Sequence, residues 1–368
     1  MRRTVVTRCF PRPARVRDNK ESRWNAINHT VKPALDYSLN VNPLGAPKAF
    51  KRSIIKNYSI LSSRPDAQST AAKNALARYH GVSPENVLIG SGCTELLYLA
   101  ARTLRPRKVL IPMPAVTVYA EACKSNGCEV VPLYTEKESE FDLDADRLIY
   151  AAAEAGADLV MLCNPGNPTS RIIAKAEMLK ILDYCQEKGI YVVVDEAYAD
   201  FVGADISTAK QINRYANLVI IRTLANYFAL PGLRFAYALA CDNLTELLYV
   251  NRVPDTVGTL ALTACETLLC DLKYIRQTKA WLQTEPKRFF RLLSTLGGVI
   301  AYKPFANFIF TELEHIPAAT LCERLRSKGI TVRDCGRLGV AEGKYIRIAI
   351  KDKKSNDKFL DGLSRCLL

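Results

Sequence analysis

Histidine is scarce in this sequence, three among 368 residues, and the twelve cysteines form no Cys-x-x-Cys pair and no cluster with those histidines. That argues against a structural zinc module, which needs several closely spaced nitrogen or sulfur ligands. Apolar runs are short; none approaches the roughly 18 residues that a membrane-spanning helix needs. Internal repeats, low-complexity tracts and an aromatic-plus-basic nucleic-acid motif are also missing. Carboxylates are missing from the first stretch, where Arg2, Arg3, Arg8, Arg12, Arg15 and Arg17 all precede Asp18.

What is present fits a globular chain: 49% of residues are hydrophobic and 24% charged, in a length sufficient for one large or two ordinary domains. Cys163, Cys241 and Cys265 lie inside apolar runs and read as small core residues, so a reducing, cytoplasmic setting is expected. Much of the net charge of +14 is local to the start. An Arg-rich, acid-poor start can be a transit peptide, but Pro11 and Pro13 spoil an amphipathic helix, and a flexible basic arm over residues 1–35 is the plainer reading. The positive balance suits phosphorylated small molecules as readily as nucleic acid.

Further on, the pattern alternates. Residues 46–60 and 69–79 read as helical, the latter closed by Gly81. Strands are expected at 87–90, 108–112, 129–134, 158–163, 190–194, 218–222 and 234–240, with helices at 94–105, 117–126, 144–155 and 174–188. Runs such as Leu159-Val-Met-Leu-Cys163 and Tyr191-Val-Val-Val194 are apolar throughout, as strands buried on both faces are. From about residue 251 the style changes: helical segments over 256–296, strands at 299–303 and 307–311, a helix over 317–328, and strands at 330–333 and 345–350. Residues 36–250 therefore read as a large α/β domain with a mainly parallel sheet, and residues 251–368 as linking helices plus a small α+β domain.

Four segments carry chemistry. Gly90-Ser-Gly-Cys-Thr-Glu95 follows a strand and opens a helix, so free amides at that helix start can cup an anion; most Gly-x-Gly turns merely reverse the chain. Asn164-Pro-Gly-Asn-Pro-Thr-Ser170 sets two Asn-Pro pairs after an apolar strand, at the sheet end where ligands bind. Val192-Val-Val-Asp-Glu-Ala-Tyr198 places carboxylates at the mouth of a buried strand, where a charge needs a partner; Asp195 could instead cap a helix. Val219-Ile-Ile-Arg-Thr-Leu-Ala-Asn-Tyr-Phe-Ala-Leu-Pro-Gly-Leu-Arg234 is a strand and a Pro-Gly punctuated loop holding Thr223 and Arg234.

Together these segments resemble fold-type I pyridoxal-phosphate (PLP) enzymes, and among them histidinol-phosphate aminotransferases and threonine-phosphate decarboxylases. The resemblance runs from about residue 36 to the end. It implies a PLP-transferase-like large domain with a seven-stranded-type sheet, a small C-terminal domain and a homodimer. It implies that Gly92, Cys93, Thr94, Thr223 and Arg234 hold the PLP phosphate, that Asn167 and Tyr198 bond its phenolic oxygen, and that Asp195 pairs with its ring nitrogen. In Tyr345-Ile-Arg-Ile-Ala349, Arg347 matches the clamp for a substrate carboxylate, and Arg333 is a candidate for a second substrate anion; either could be an ordinary edge-strand cation. The Asn40-Val-Asn-Pro-Leu-Gly45 opening is closer to the decarboxylases and makes Asn42 a substrate-side candidate.

Several positions depart from the family pattern. Asn226 stands where relatives keep the Schiff-base lysine, and Ala225 precedes it in place of threonine. Val116, in Pro114-Ala-Val-Thr-Val-Tyr119, stands where relatives stack an aromatic on the pyridine ring. Arg64, in Arg64-Pro-Asp66, replaces a tyrosine that reaches the neighbouring subunit's phosphate. Val257-Gly258 replaces Val-Asn, and Ser170 replaces a usual glycine. An amide is neither a nucleophile nor a base near neutrality. The expectation is a relative that binds PLP, pyridoxamine phosphate (PMP) or a phosphorylated amino acid noncovalently without ordinary catalysis. An active aminotransferase or decarboxylase on an amino-acid phosphate, and a nucleic-acid binder using the basic arm, remain as alternatives.

Overall fold

The computed structural model describes residues 35–340 and 343–367; the expected basic arm lies almost wholly outside them. The large domain is built on a seven-stranded sheet of β2 (Val87–Gly90), β3 (Lys108–Met113), β4 (Glu129–Tyr134), β5 (Leu159–Cys163), β6 (Tyr191–Asp195), β7 (Leu218–Arg222) and β8 (Ala236–Leu239). Their spatial order is β2-β8-β7-β6-β5-β3-β4. β8 runs antiparallel to both neighbours, while the pairings among β3 to β7 are parallel.

The all-apolar strands alternate between two cores. Val160, Leu162, Val192, Val194 and Ile220 pack on one face; Leu159, Met161, Val193, Val219 and Ile221 pack on the other. The first face is covered by α1 (Lys48–Lys56), α2 (Thr70–His80), α5 (Ala145–Ala155), α6 (Lys175–Glu187) and α8 (Thr259–Leu269), and the second by α3 (Cys93–Leu104), α4 (Thr117–Lys124) and α7 (Asp242–Asn251). α7 has no counterpart among the expected helices. α2 stops where Gly81 takes a left-handed φ of 68°. The expected helical stretch 256–296 is two helices, α8 and α9 (Leu272–Leu293), because Asp271 starts a new one by accepting from the Tyr274 amide at 3.0 Å.

The small domain holds β9 (Val299–Ala301), β10 (Phe308–Leu313), α10 (Ala318–Ser327), β11 (Ile330–Thr331), β12 (Arg333–Asp334), β13 (Tyr345–Ala349) and α11 (Lys353–Leu367). Its main sheet is antiparallel in the order β12-β13-β10-β9. The short strand β1 (Leu35–Asp36) pairs with β11, and Tyr37 stacks 4.3 Å from Phe359 in the small-domain core. The chain thus begins its described course on the small domain before entering the large one. α9 joins the two: Tyr274 packs in the large core, Phe289 and Leu293 in the small one. Phe141, on a large-domain loop, inserts edge-on among Tyr302, Phe310 and Tyr345 of the small domain.

This topology fixes where chemistry can occur. β4 and β5 lie on opposite sides of β3, which makes the β3–β5 junction a topological switch point, and open α/β sheets bind ligands outside the carboxyl ends of strands there.

Candidate functional site

The carboxyl ends of β3, β5, β6 and β7 converge with the small-domain strand β13. Asp195 is the last residue of β6 and is buried. Its Oδ2 accepts from the Tyr119 hydroxyl at 2.7 Å and its Oδ1 from the Ala197 amide at 2.9 Å. Burial pushes the Asp195 carboxyl above the ordinary carboxylate range, and those two bonds only partly offset it. No cation touches it among the described residues, so it is set to take a ligand cation or a ligand N–H. Tyr119, in the first turn of α4, was not singled out by sequence; the aromatic three residues beyond Val116, near a strand's carboxyl end, was the available signal. Val116 itself is half-buried, caps α4 and packs against the second core.

β6 is held in place by the buried Arg222 at the end of β7. Its guanidinium donates to Glu196 and to Asp200, each at 2.6 Å. A cation paired to both carboxylates fixes the turn after Asp195, and removing one member of such a buried set costs about 3–5 kcal/mol.

The anion cup is also formed. Gly92 precedes α3 with φ 94° and ψ 157°, a conformation essentially confined to glycine. A Cβ there would lie 2.4 Å from Nη2 of Arg234, so the guanidinium rests against the glycine backbone at the helix N-terminus. Arg234 holds this pose from a left-handed φ of 51°. Thr223, buried, donates to the Phe235 carbonyl at 2.5 Å and accepts from the Ala225 amide at 3.1 Å. Cys93 is half-buried and Thr94 exposed; burial pushes the Cys93 thiol well up, so it stays protonated. Free amides, a positive helix end and a guanidinium at one point form an anion-binding arrangement.

On the opposite side, Arg347 of β13 is buried and donates through Nη1 to Asn167 Oδ1 at 2.7 Å and through Nη2 to the Ser38 carbonyl at 2.5 Å; its Nε has no partner. Its guanidinium lies 5.6 Å from the Phe308 ring. Arg333 sits directly across the β12–β13 ladder from Arg347. Burial, with Arg333 as a further cause, pushes Arg347 below the ordinary guanidinium pKa, while Tyr198 acts the other way. Two cations opposite one another on a sheet repel. Tyr198 meets Phe308 edge-on at 4.9 Å.

Asn226, half-buried, donates through Nδ2 to the Ala197 carbonyl at 3.3 Å, two residues from Asp195, and its own carbonyl accepts from the Asn42 amide at 3.0 Å. Two expected residues do not join the cluster. The Asn42 amide nitrogen is used twice, on the Tyr227 carbonyl and on Thr278, both at 2.8 Å; it ties the opening segment to the Asn226 loop and to α9. Arg64 is exposed in a cleft of about 520 Å³ lined by α1 and α8. Asn40 lies nearer the site than Asn42: it is 3% exposed and its side chain interacts with the Tyr198 hydroxyl, without an ideal hydrogen bond at either amide atom.

The class I and II aminotransferase family matches residues 36–363. The chain belongs to that family. It is 31% identical to threonine-phosphate decarboxylase of Salmonella typhimurium over 337 residues, covering 90% of this chain and 91% of that one. It is 30% identical to histidinol-phosphate aminotransferase of a Thermoanaerobacter species over 358 residues, covering 96% and 99%. The crystal structure of histidinol-phosphate aminotransferase from Clostridium acetobutylicum superposes with a TM-score of 0.85 at 30% identity, over 90% of this chain and 99% of that one. The fold is therefore the PLP-transferase type, in a PLP-dependent family. Among the described residues, no helix is long and apolar enough to cross a membrane, and no group of three or more His, Cys, Asp or Glu side chains could hold a metal ion.

Proposed function

We propose that this family member binds PLP, PMP or a phosphorylated amino acid noncovalently, and that Asn226 occupies the position of the family lysine and removes ordinary covalent catalysis. The carrying observation is a contrast within one site: an anion cup and a buried carboxylate are both formed, while a neutral amide stands at residue 226 beside them.

The residues fit the cofactor part by part. The amides of Gly92, Cys93 and Thr94 with Arg234 suit its phosphate, and Thr223 shapes the same turn. Asp195, raised in pKa by burial, is stabilised by a ring N–H. Asn167 and Tyr198 suit the phenolic oxygen. When bound, PLP supplies an electron sink for charge developing beside a substrate amine. Arg347 and Arg333 suit a substrate carboxylate and a second anion, and Asn40 can satisfy a polar group beside them. The Asn226 amide neither forms a covalent bond to an aldehyde nor moves a proton, a task worth about 10²–10⁴-fold in rate when a proper base performs it.

Arg64 lies away from this chain's own cup and suits a homodimer in which it reaches the partner's. Sedimentation with detection of bound cofactor tests both readings at once. The expected result is a species of twice 41.0 kDa carrying PLP or PMP that dialysis removes.

The second reading is an active aminotransferase or decarboxylase on threonine, serine or histidinol phosphate, favoured by identity near 30% to both kinds of relative over most of the chain. Turnover of any of these phosphates with PLP present would establish it and exclude the noncatalytic reading. The basic arm lies outside the described residues, and nothing in the site favours nucleic acid.

A further inference from the structure

We propose that Ser170 is a positioning residue: its hydroxyl clasps the small domain to the large one and thereby sets the Asn167–Arg347 pair at the anion site. This rests on the reading of that pair as part of the ligand site.

Ser170 is fully buried and takes a left-handed φ of 61°, which glycine adopts without steric penalty and serine does not. What the serine adds is an acceptor. Its Oγ receives two consecutive amides of the small-domain loop, Phe305 at 3.1 Å and Ala306 at 2.8 Å. Its carbonyl also accepts from the Phe305 amide, at 3.3 Å.

The contact closes a ring of dependencies. Asn167 is three residues before Ser170 on the large-domain loop. Phe305 is three residues before Phe308, which opens β10. β10 pairs with β13, where Phe310 stands opposite Arg347, and Arg347 returns to Asn167 at 2.7 Å. The large-domain side of the clasp is itself braced: Arg171 grips Asp142 through two bonds of 2.6 and 2.7 Å and Glu140 through one of 2.9 Å, with its guanidinium 5.1 Å from the Phe305 ring. A slip at Ser170 therefore moves Arg347 relative to Asn167, while the Gly92–Arg234 cup on the far side keeps its geometry.

The test compares S170A, which keeps the strained φ, with S170G, which relieves it; both remove the hydroxyl. Amide hydrogen exchange reads the clasp without any ligand. Loss of the hydroxyl should speed exchange at Ala306 about tenfold or more in both variants, and less at Phe305, whose amide keeps the Ser170 carbonyl, with the interior of β10 unchanged. O-phospho-L-threonine titrated into PMP-loaded protein reads the consequence: affinity should fall about tenfold in both variants, with PMP affinity unchanged and S170G melting no lower than S170A. Unchanged exchange at Ala306 overturns the clasp. Faster exchange with unchanged phosphothreonine affinity overturns its role in positioning. Wild-type protein that binds PMP but not phosphothreonine, with exchange accelerated in the variants, leaves the clasp standing and refutes the reading of the Asn167–Arg347 pair instead.

Discussion

The noncovalent reading turns on Asn226. Around it stand groups with clear chemical purposes: a carboxylate raised in pKa by burial, a guanidinium against a glycine backbone, and a buried arginine with one N–H unpartnered. An amide adds a donor and an acceptor but no titration. Asn226→Lys tests the proposed replacement directly. With PLP and borohydride, the variant should gain the mass of one reduced PLP at residue 226, read by peptide mass spectrometry. No adduct would mean that the ring site has decayed along with the lysine. At this scale the sequence was legible where a residue's neighbours define it. Asp195 and Asn167 follow all-apolar strands, and a polar side chain at the end of a buried strand has few places to be except a site. It was less legible where two similar residues compete. Asn40 and Asn42 differ by one strand-like step, and only three-dimensional packing shows that Asn42 is used up by Tyr227 and Thr278 while Asn40 is not.

Elements place those residues. The N-terminus of α3 supplies amides, and Gly92 lets Arg234 approach them. Gly92→Ala puts a Cβ 2.4 Å from the guanidinium and strains a backbone conformation that costs a non-glycine residue about 1–3 kcal/mol. The expected outcome is a lower melting temperature together with PMP binding weaker by about tenfold or more, measured by fluorescence titration; unchanged binding would remove the cup from the site. Strand and helix periodicities revealed the seven-stranded sheet and most of its covering helices because strands buried on both faces are unmistakably apolar. They did not reveal α7, which directly follows β8, nor the break between α8 and α9, which depends on one capping aspartate, Asp271. The pairing of β1 with β11 was also illegible, since two residues carry no periodicity.

At the scale of the molecule, one buried histidine links pH to stability. His80 closes α2, with Nε2 2.8 Å from the Tyr237 hydroxyl. Burial, helped by the nearby Arg222 charge, pushes its pKa from 6.5 down to about 3. The folded state keeps the ring neutral while the unfolded chain protonates it, so stability is complete above pH 6.5 and falls as pH drops toward about 3, by up to about 1.4 kcal/mol per pH unit. Denaturant unfolding of His80→Gln against wild type checks this: the variant starts less stable, and the gap narrows across that window.

The two domains meet through α9, Phe141 and the Ser170 contact, and the proposed ligand site lies between them. Whether that ligand is tethered is the central question. Wild-type protein saturated with PLP, reduced with borohydride and weighed intact by mass spectrometry answers it. The noncovalent reading predicts the unmodified chain mass, with binding still evident before reduction. A stoichiometric mass gain of reduced PLP on a single lysine would contradict it and show that another lysine has taken the role.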